Sequence, residues 1–158
     1  MKVLAADGIS PKGIELLQKD FEVVVKDKLP AEELLEIIPD FDALIVRSAS
    51  KVTAEVIARA EKLKIIGRAG VGVDNIDVKY AEANGITVKN TPKASSQSVA
   101  ELAMGHMFSC ARYLSIAGHT MREGKWEKKS YGKGIELQGK TLGIVGFGRI
   151  GQHLGVMA

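Results

Sequence analysis

Short runs of aliphatic and β-branched residues alternate with helical periodicity over roughly the first ninety positions, a pattern that predicts a parallel sheet with crossover helices. Val3 to Ala6 is the first expected strand, and Ser10-Pro11 supplies a helix cap and first turn before Ile14-Glu15-Leu16-Leu17. Phe21 to Lys26 predicts a second strand, and Pro30 to Ile38 a helix bounded by Pro39. Ala43 to Val46 is apolar at every position, as expected of a third strand covered on both faces. Thr53 is placed to cap a helix carrying Val56, Ile57 and Ala60 on one face, with Lys64 to Gly67 as the fourth strand. Asn84-Gly85 is a helix stop before Ile86 to Lys89, the fifth strand. These positions predict one doubly wound α/β unit.

The pattern changes after Asn90-Thr91-Pro92. Proline ends the strand, Ser95 and Ser96 offer N-cap oxygens, and one long helix is expected from about Ser98 to Arg122. Val99, Ala103, His106, Cys110, Tyr113 and Ala117 form one face of it. Leu102, Phe108, Ala111, Leu114 and Met121 widen the apolar surface, so the helix calls for cover on more than one side. Gly124 closes it, and Trp126 is expected to anchor the loop that follows. The division between domains is placed at Pro92, giving residues 1–92 and 93–158.

Thr141 to Val145 predicts another strand, and it opens into Gly146-Phe147-Gly148-Arg149-Ile150-Gly151 before a helix-like segment. In a dinucleotide-binding turn the first glycine makes the bend, the second lets a pyrophosphate approach backbone, and the third packs the helix on the strand. Arg149 and Ile150 can offer backbone N–H groups, with the partial positive charge of the helix N-terminus behind them. All six residues are therefore assigned to cofactor binding, with a purely structural strand-to-helix turn as the alternative. The acidic residue that would hold a ribose is expected about 20 residues further on, past Ala158, which leaves NAD against NADP open.

Composition narrows the function classes. A formal charge of +3 arises from lysines interspersed with Asp and Glu, which argues against a nucleic-acid partner. The single cysteine, Cys110, cannot form an internal disulfide and reads as core filler in a cytoplasmic protein. No apolar run is long enough for a membrane helix, and no metal-ligand spacing appears.

Candidate ligand contacts collect at strand ends. Arg47 follows the third strand at the carboxyl edge, where ligands of open α/β sheets bind, and its planar charged fork suits phosphate or carboxylate. Ser48 adds a hydroxyl and Lys51 a point charge; a solvated strand-end arginine is the alternative. Ala69-Gly70-Val71-Gly72-Val73 is a glycine-rich turn able to form an anion-binding concavity, or a plain strand-to-helix turn. Asp74 and Asn75 have the look of helix caps. His106, His119 and His153 show no carboxylate at relay spacing, so no catalytic acid or base is assigned.

Six segments in register carry a resemblance: Leu44-Ile45-Val46-Arg47-Ser48, Lys51-Val52-Thr53, Gly67 to Asn75, Asn90-Thr91-Pro92 to Glu101, Gly124-Lys125-Trp126 and Gly139 to Gly143. Together they resemble the D-2-hydroxyacid dehydrogenases, over essentially the whole chain, and most of all the members that oxidise 3-phospho-D-glycerate. The resemblance implies a flavodoxin-like substrate domain followed by the beginning of a Rossmann domain for NAD, and a homodimer or higher homo-oligomer built on the long helix. It implies that Arg47, Ser48 and Lys51 contact the phosphorylated end of the substrate. Gly70 and Gly72 would approach the substrate and Val71 the nicotinamide end of the cofactor, while Asn90 would steady the crossing between domains. It places the family's catalytic histidine, its orienting glutamate and a carboxylate-clamping arginine beyond residue 158. Ser95 stands where many relatives carry asparagine, and Val71 where some carry threonine. Dehydrogenation of an unphosphorylated acid such as glycerate or lactate is one alternative, and an NAD(H)-sensing corepressor-like protein another.

Overall fold

Val3, Leu4, Ala5 and Ala6 are all buried in β1 (Lys2–Ala6), as a strand covered on both faces requires. In the computed structural model, which describes residues 1–158, β1 pairs with β2 (Glu22–Lys26) on one side and β3 (Ala43–Val46) on the other. The sheet continues through β4 (Ile65–Arg68) to β5 (Thr87–Asn90), every pair parallel. The order β2-β1-β3-β4-β5 is flavodoxin-like and reverses direction between β1 and β3. The register sets Val46 opposite Arg68 and Arg68 opposite Asn90, so three strands end level at the carboxyl edge.

Three of the four connecting helices start where a side chain satisfies an unpaired N–H group, the exception being the one that begins after Pro30. Ser10 Oγ accepts from the Gly13 amide at 3.3 Å at the head of α1 (Pro11–Leu17). Thr53 Oγ1 accepts from Val56 at 3.4 Å at the head of α3 (Ala54–Arg59). Asp77, rather than Asp74 or Asn75, caps α4 (Val78–Ala83) by accepting from the Tyr80 amide at 3.1 Å. Gly85 then turns the chain at φ 76°. α2 (Ala31–Ile37) ends with Ile38 as its C-cap, directly before Pro39, and the chain continues in a 3-10 turn, Ile38–Asp40, with Pro39 inside it. A first-turn proline gives up no needed hydrogen bond, which is why the turn accepts it. Leu4, Leu34, Ile38, Leu44 and Ile66 are fully buried, joined by Val56, Ile57 and Ala60 from the predicted face of α3.

The chain divides into two compact units, Met1–Ala94 and Ser95–Ala158. The second contains α5 (Ser96–Arg112), α6 (Leu114–Arg122), α7 (Lys128–Tyr131) and α8 (Arg149–Met157). The single long helix expected there is two helices. Tyr113 adopts the left-handed conformation at φ 58°, and the Ala111 carbonyl accepts from the Ile135 amide at 3.0 Å. No glycine announces this break; the ring of Tyr113 lies 6.0 Å from that of Tyr131.

The inner face of α5 also differs from the expected one. Ser96, Ala100 and Ala111 are buried, with Met104 and Met107 half-buried between them, whereas Val99, His106 and Cys110 are exposed. Both faces carry apolar residues at helical spacing, so cover by α8, not periodicity, selects between them. Cys110 is thus not core filler, and Trp126, 75% exposed, anchors nothing. Ser95 occupies the N-cap position of α5 but its side chain makes no cap bond, and neither does that of Ser96. Gly124 does close α6, at φ 77°. Thr141 to Val145 forms no strand, because a ladder needs a second strand and all five of the chain's strands pair within the first unit.

Candidate functional site

The carboxyl edge of the sheet is built from loops that hold one another by side-chain-to-backbone hydrogen bonds. Asp27 Oδ1 accepts from the Gly8 amide at 2.8 Å, tying the end of β2 to the end of β1. Asp7, next along, reaches across the reversal point to the loop after β3: Oδ2 accepts from the amides of Arg47 at 3.0 Å and Ser50 at 2.8 Å, and Oδ1 from Ser50 Oγ at 2.6 Å. Asn75, from the loop after β4, donates through Nδ2 to the carbonyls of Arg47 at 2.9 Å and Ser50 at 2.8 Å. Asn90 Nδ2 donates to the Val71 carbonyl at 2.6 Å. Neither Asp7 nor Asn75 was legible as a loop tie, because both bonds join residues far apart in sequence.

Arg47, Ser48 and Lys51 are exposed on the loop so held. Arg68, inside the Gly67 to Asn75 segment and given no role from sequence, ends β4. Its Nε is buried with no hydrogen-bond partner, and a methyl group on Gly70 would land on its Nη1. A side chain at Gly70 would displace the Arg68 guanidinium packed against it. Neither Arg47 nor Arg68 forms a salt bridge; the ion pairs of the chain lie elsewhere. Two permanently charged guanidinium groups at the ends of adjacent strands, unneutralised by carboxylates, favour an anionic ligand. A Cβ at Gly72 would stand 2.7 Å from Asp74 Oδ1, the tip of an exposed side chain that can turn aside. The residues assigned to substrate, together with Val71, thus share one edge.

Burial pushes the Asp7 carboxyl up, but the hydroxyl of Ser50 and the amides of Ser50, Arg47 and Ala49 together outweigh it and hold it below the ordinary value of 3.8. A carboxylate whose folded value is depressed stabilises the fold fully above its unfolded value, and that stabilisation disappears as pH falls through the folded value. Urea midpoints measured from about pH 6 down to about pH 3 are expected to fall less steeply for Asp7→Asn than for the parent chain. Parallel curves would mean that Asp7 contributes nothing to this dependence.

In the second unit, Gly146 turns the chain at φ 93° and Gly148 is the N-cap of α8. A Cβ on either would meet nothing within 4 Å, whereas one on Gly151 would stand 2.5 Å from the Gly146 carbonyl oxygen and 3.3 Å from Ile144 Cγ2. Open space beside two glycines and tight helix packing at the third is the division of labour a pyrophosphate cradle requires. The first amides of α8, from Arg149 and Ile150, lie at a helix N-terminus where intrahelical acceptors are lacking. The Gln152 side chain donates to the Phe147 carbonyl at 3.2 Å and fixes the turn from behind. These residues fit a dinucleotide.

The histidines present no relay. His106 and His153 are exposed. His119 does have a carboxylate partner, contrary to expectation: Nε2 lies 3.3 Å from Glu123 one helical turn on, and Glu123 also meets Lys125 at 2.8 Å. All three are solvent-exposed at the end of α6, where the group forms a surface ion-pair cluster.

Residues 3–145 match the family model described as D-isomer specific 2-hydroxyacid dehydrogenase, catalytic domain. A D-3-phosphoglycerate dehydrogenase of Methanocaldococcus jannaschii is 54% identical over 98% of this chain and 29% of its own length. A hydroxypyruvate reductase of Thermotoga maritima is 52% identical over 97% of this chain and 50% of its own. The chain spans half or less of the length of these curated relatives. Among solved structures, the NAD+-bound 3-phosphoglycerate dehydrogenase of Entamoeba histolytica superposes with a TM-score of 0.76 at 36% identity, covering 99% of this chain and 50% of that one. The TT0316 protein of Thermus thermophilus gives a TM-score of 0.89 at 34% identity, over 99% and 52%. The five-stranded parallel fold agrees with these matches, and the chain belongs to the D-isomer specific 2-hydroxyacid dehydrogenase family.

Proposed function

We propose that these residues serve an NAD-dependent dehydrogenase that converts 3-phospho-D-glycerate to 3-phosphooxypyruvate, the entry step of the phosphorylated route to L-serine, in the cytoplasm. The observation that carries this reading is that Arg47, one residue past the end of β3, and Arg68, the last residue of the neighbouring β4, both stand at the carboxyl edge free of carboxylate partners. A substrate with a phosphate at one end and a carboxylate at the other supplies the charge such an edge lacks. Arg47 and Arg68 hold the phosphorylated end, with Ser48 donating a hydroxyl and Lys51 adding charge. Gly70 and Gly72 let backbone approach the carboxylate, and Asn90 fixes their loop through the Val71 carbonyl. Gly146 to Gly151 hold the cofactor pyrophosphate. The nicotinamide, when bound, accepts the hydride that leaves C2 while the 2-hydroxyl loses its proton. No residue of this chain is assigned the removal of that proton.

The hydroxypyruvate reductase match favours a second reading, in which the substrate is an unphosphorylated 2-hydroxy acid. Turnover by a family-length enzyme carrying these residues distinguishes the two: kcat/KM for 3-phosphoglycerate is expected to exceed that for glycerate and lactate by about a hundredfold. Equal or greater values for the unphosphorylated acids would reassign the substrate. A corepressor-like protein would give binding of NAD(H) and no turnover on any of them.

Assembly as a homodimer through α5 and α6 is part of the same proposal. Phe108, 47% exposed, and Leu114, 58% exposed, leave apolar area on the surface of this unit. A charge buried unpaired at an interface costs several kcal/mol. Phe108→Glu or Leu114→Glu in the family-length protein is therefore expected to shift the sedimenting species from dimer to monomer. Wild-type mass for both folded variants would place the contact elsewhere.

A further inference from the structure

The loop Arg47–Ser50 turns its backbone and the Ser50 side chain inward to the protein and leaves Arg47, Ser48 and Ala49 exposed. Its amides at Arg47 and Ser50 both serve the Asp7 carboxylate, which also accepts from Ser50 Oγ at 2.6 Å. Its carbonyls at Arg47 and Ser50 are taken by Asn75 Nδ2. Amides converging on one carboxylate form a concavity of the kind that binds anions, here filled by an internal one. A substrate anion cannot use that concavity and is left to the side chains of Arg47 and Ser48. Asp7 itself holds φ 66°, a left-handed conformation that aspartate tolerates better than most residues, and Gly8 follows at φ 66° with its amide held by Asp27. A disfavoured backbone conformation at the reversal point of the sheet is retained where it delivers the carboxylate to the loop.

Building on the assignment of this edge to the substrate, we propose that Asp7 is a positioning residue for substrate recognition, acting through Arg47, and that Asn75 is its partner on the carbonyl side of the loop. Asp7 touches no substrate. It sets the direction in which the guanidinium is presented, so its loss weakens binding of the anionic end more than it slows the chemical step.

The test uses a family-length enzyme carrying these residues, with 3-phosphoglycerate as the probe. Asp7→Ala is expected to raise KM for 3-phosphoglycerate about tenfold or more, with kcat falling less than KM rises and KM for NAD unchanged. Asp7→Asn, which keeps the shape and one accepting oxygen, is expected to give a smaller rise and serves if the alanine variant does not fold. In a double-mutant cycle the Asp7 effect on KM is expected to shrink to about twofold or less in an Arg47→Ala background, because the group it positions is gone. Full multiplication of the two effects, or a proportionate loss of kcat with every KM unchanged, would make Asp7 merely structural and overturn the proposal. An effect of Arg47→Ala with none from either Asp7 variant overturns it while leaving the substrate assignment standing. No effect from Arg47→Ala removes the assignment of the edge itself, and the proposal with it.

Discussion

Arg47→Ala in a family-length enzyme is expected to raise KM for 3-phosphoglycerate by about ten- to a hundredfold and to lower kcat much less. Arg47 is exposed at the end of β3, beside the end of β4 where Arg68 stands, and neither is neutralised by a carboxylate. A hydrogen bond between charged groups contributes about 1.5–3 kcal/mol, which corresponds to that range of affinity. The phosphate lies away from the bond that reacts, so its binding is the same in ground and transition state, and its loss appears in KM. Arg47→Lys is expected to recover part of the loss, since a point charge remains but the planar fork does not. An unchanged KM would return Arg47 to the solvated surface.

Gly151→Ala carries the second large effect. Its Cβ would stand 2.5 Å from the Gly146 carbonyl oxygen, and backbone inside a tight turn cannot yield as a side-chain tip can. Either α8 moves off the turn or Gly146 leaves its φ of 93°. Both displace the helix N-terminus from the turn, and overpacking of this kind costs about 1–3 kcal/mol. The expected result is loss of NAD binding by about a hundredfold or more, together with a lowered Tm. Gly148→Ala is the control: with nothing within 4 Å of its Cβ the fold is undisturbed, and only the approach of the pyrophosphate is blocked. Tight NAD binding by both variants, measured by calorimetry, would show that the fingerprint does not hold the cofactor.

Local chemistry made most of the first unit readable in advance. The inner strands β1 and β3 are short apolar runs, and Ser10 and Thr53 each cap a helix with an oxygen three residues from the amide it serves, whereas the cap of α4 fell to Asp77 and not to Asp74 or Asn75. The glycine fingerprint was readable for the same reason, since turn, cradle and helix start lie within six residues. Arg47 could be placed at the carboxyl edge because it follows an unambiguous strand.

What the sequence left open depends on contacts between residues far apart. Asp7 and Ser50 are 43 positions apart and Asn75 and Arg47 are 28, so nothing in local pattern distinguishes a loop tie from a helix cap. The steric demand of Arg68 on Gly70 spans only two residues, but it exists because the β4 register puts that guanidinium against the turn. The face of α5 that is covered, the exposure of Cys110 and the break at Tyr113 were likewise decided by packing, since an apolar stripe states that a face should be buried and not which neighbour buries it. The segment Thr141 to Val145 shows the limit most directly: its residues favour a strand, and pairing is a property of two segments. Sequence alone determined the elements of the first unit and the chemistry available at their ends; tertiary structure decided which of those groups are tied down and which are left to meet a ligand.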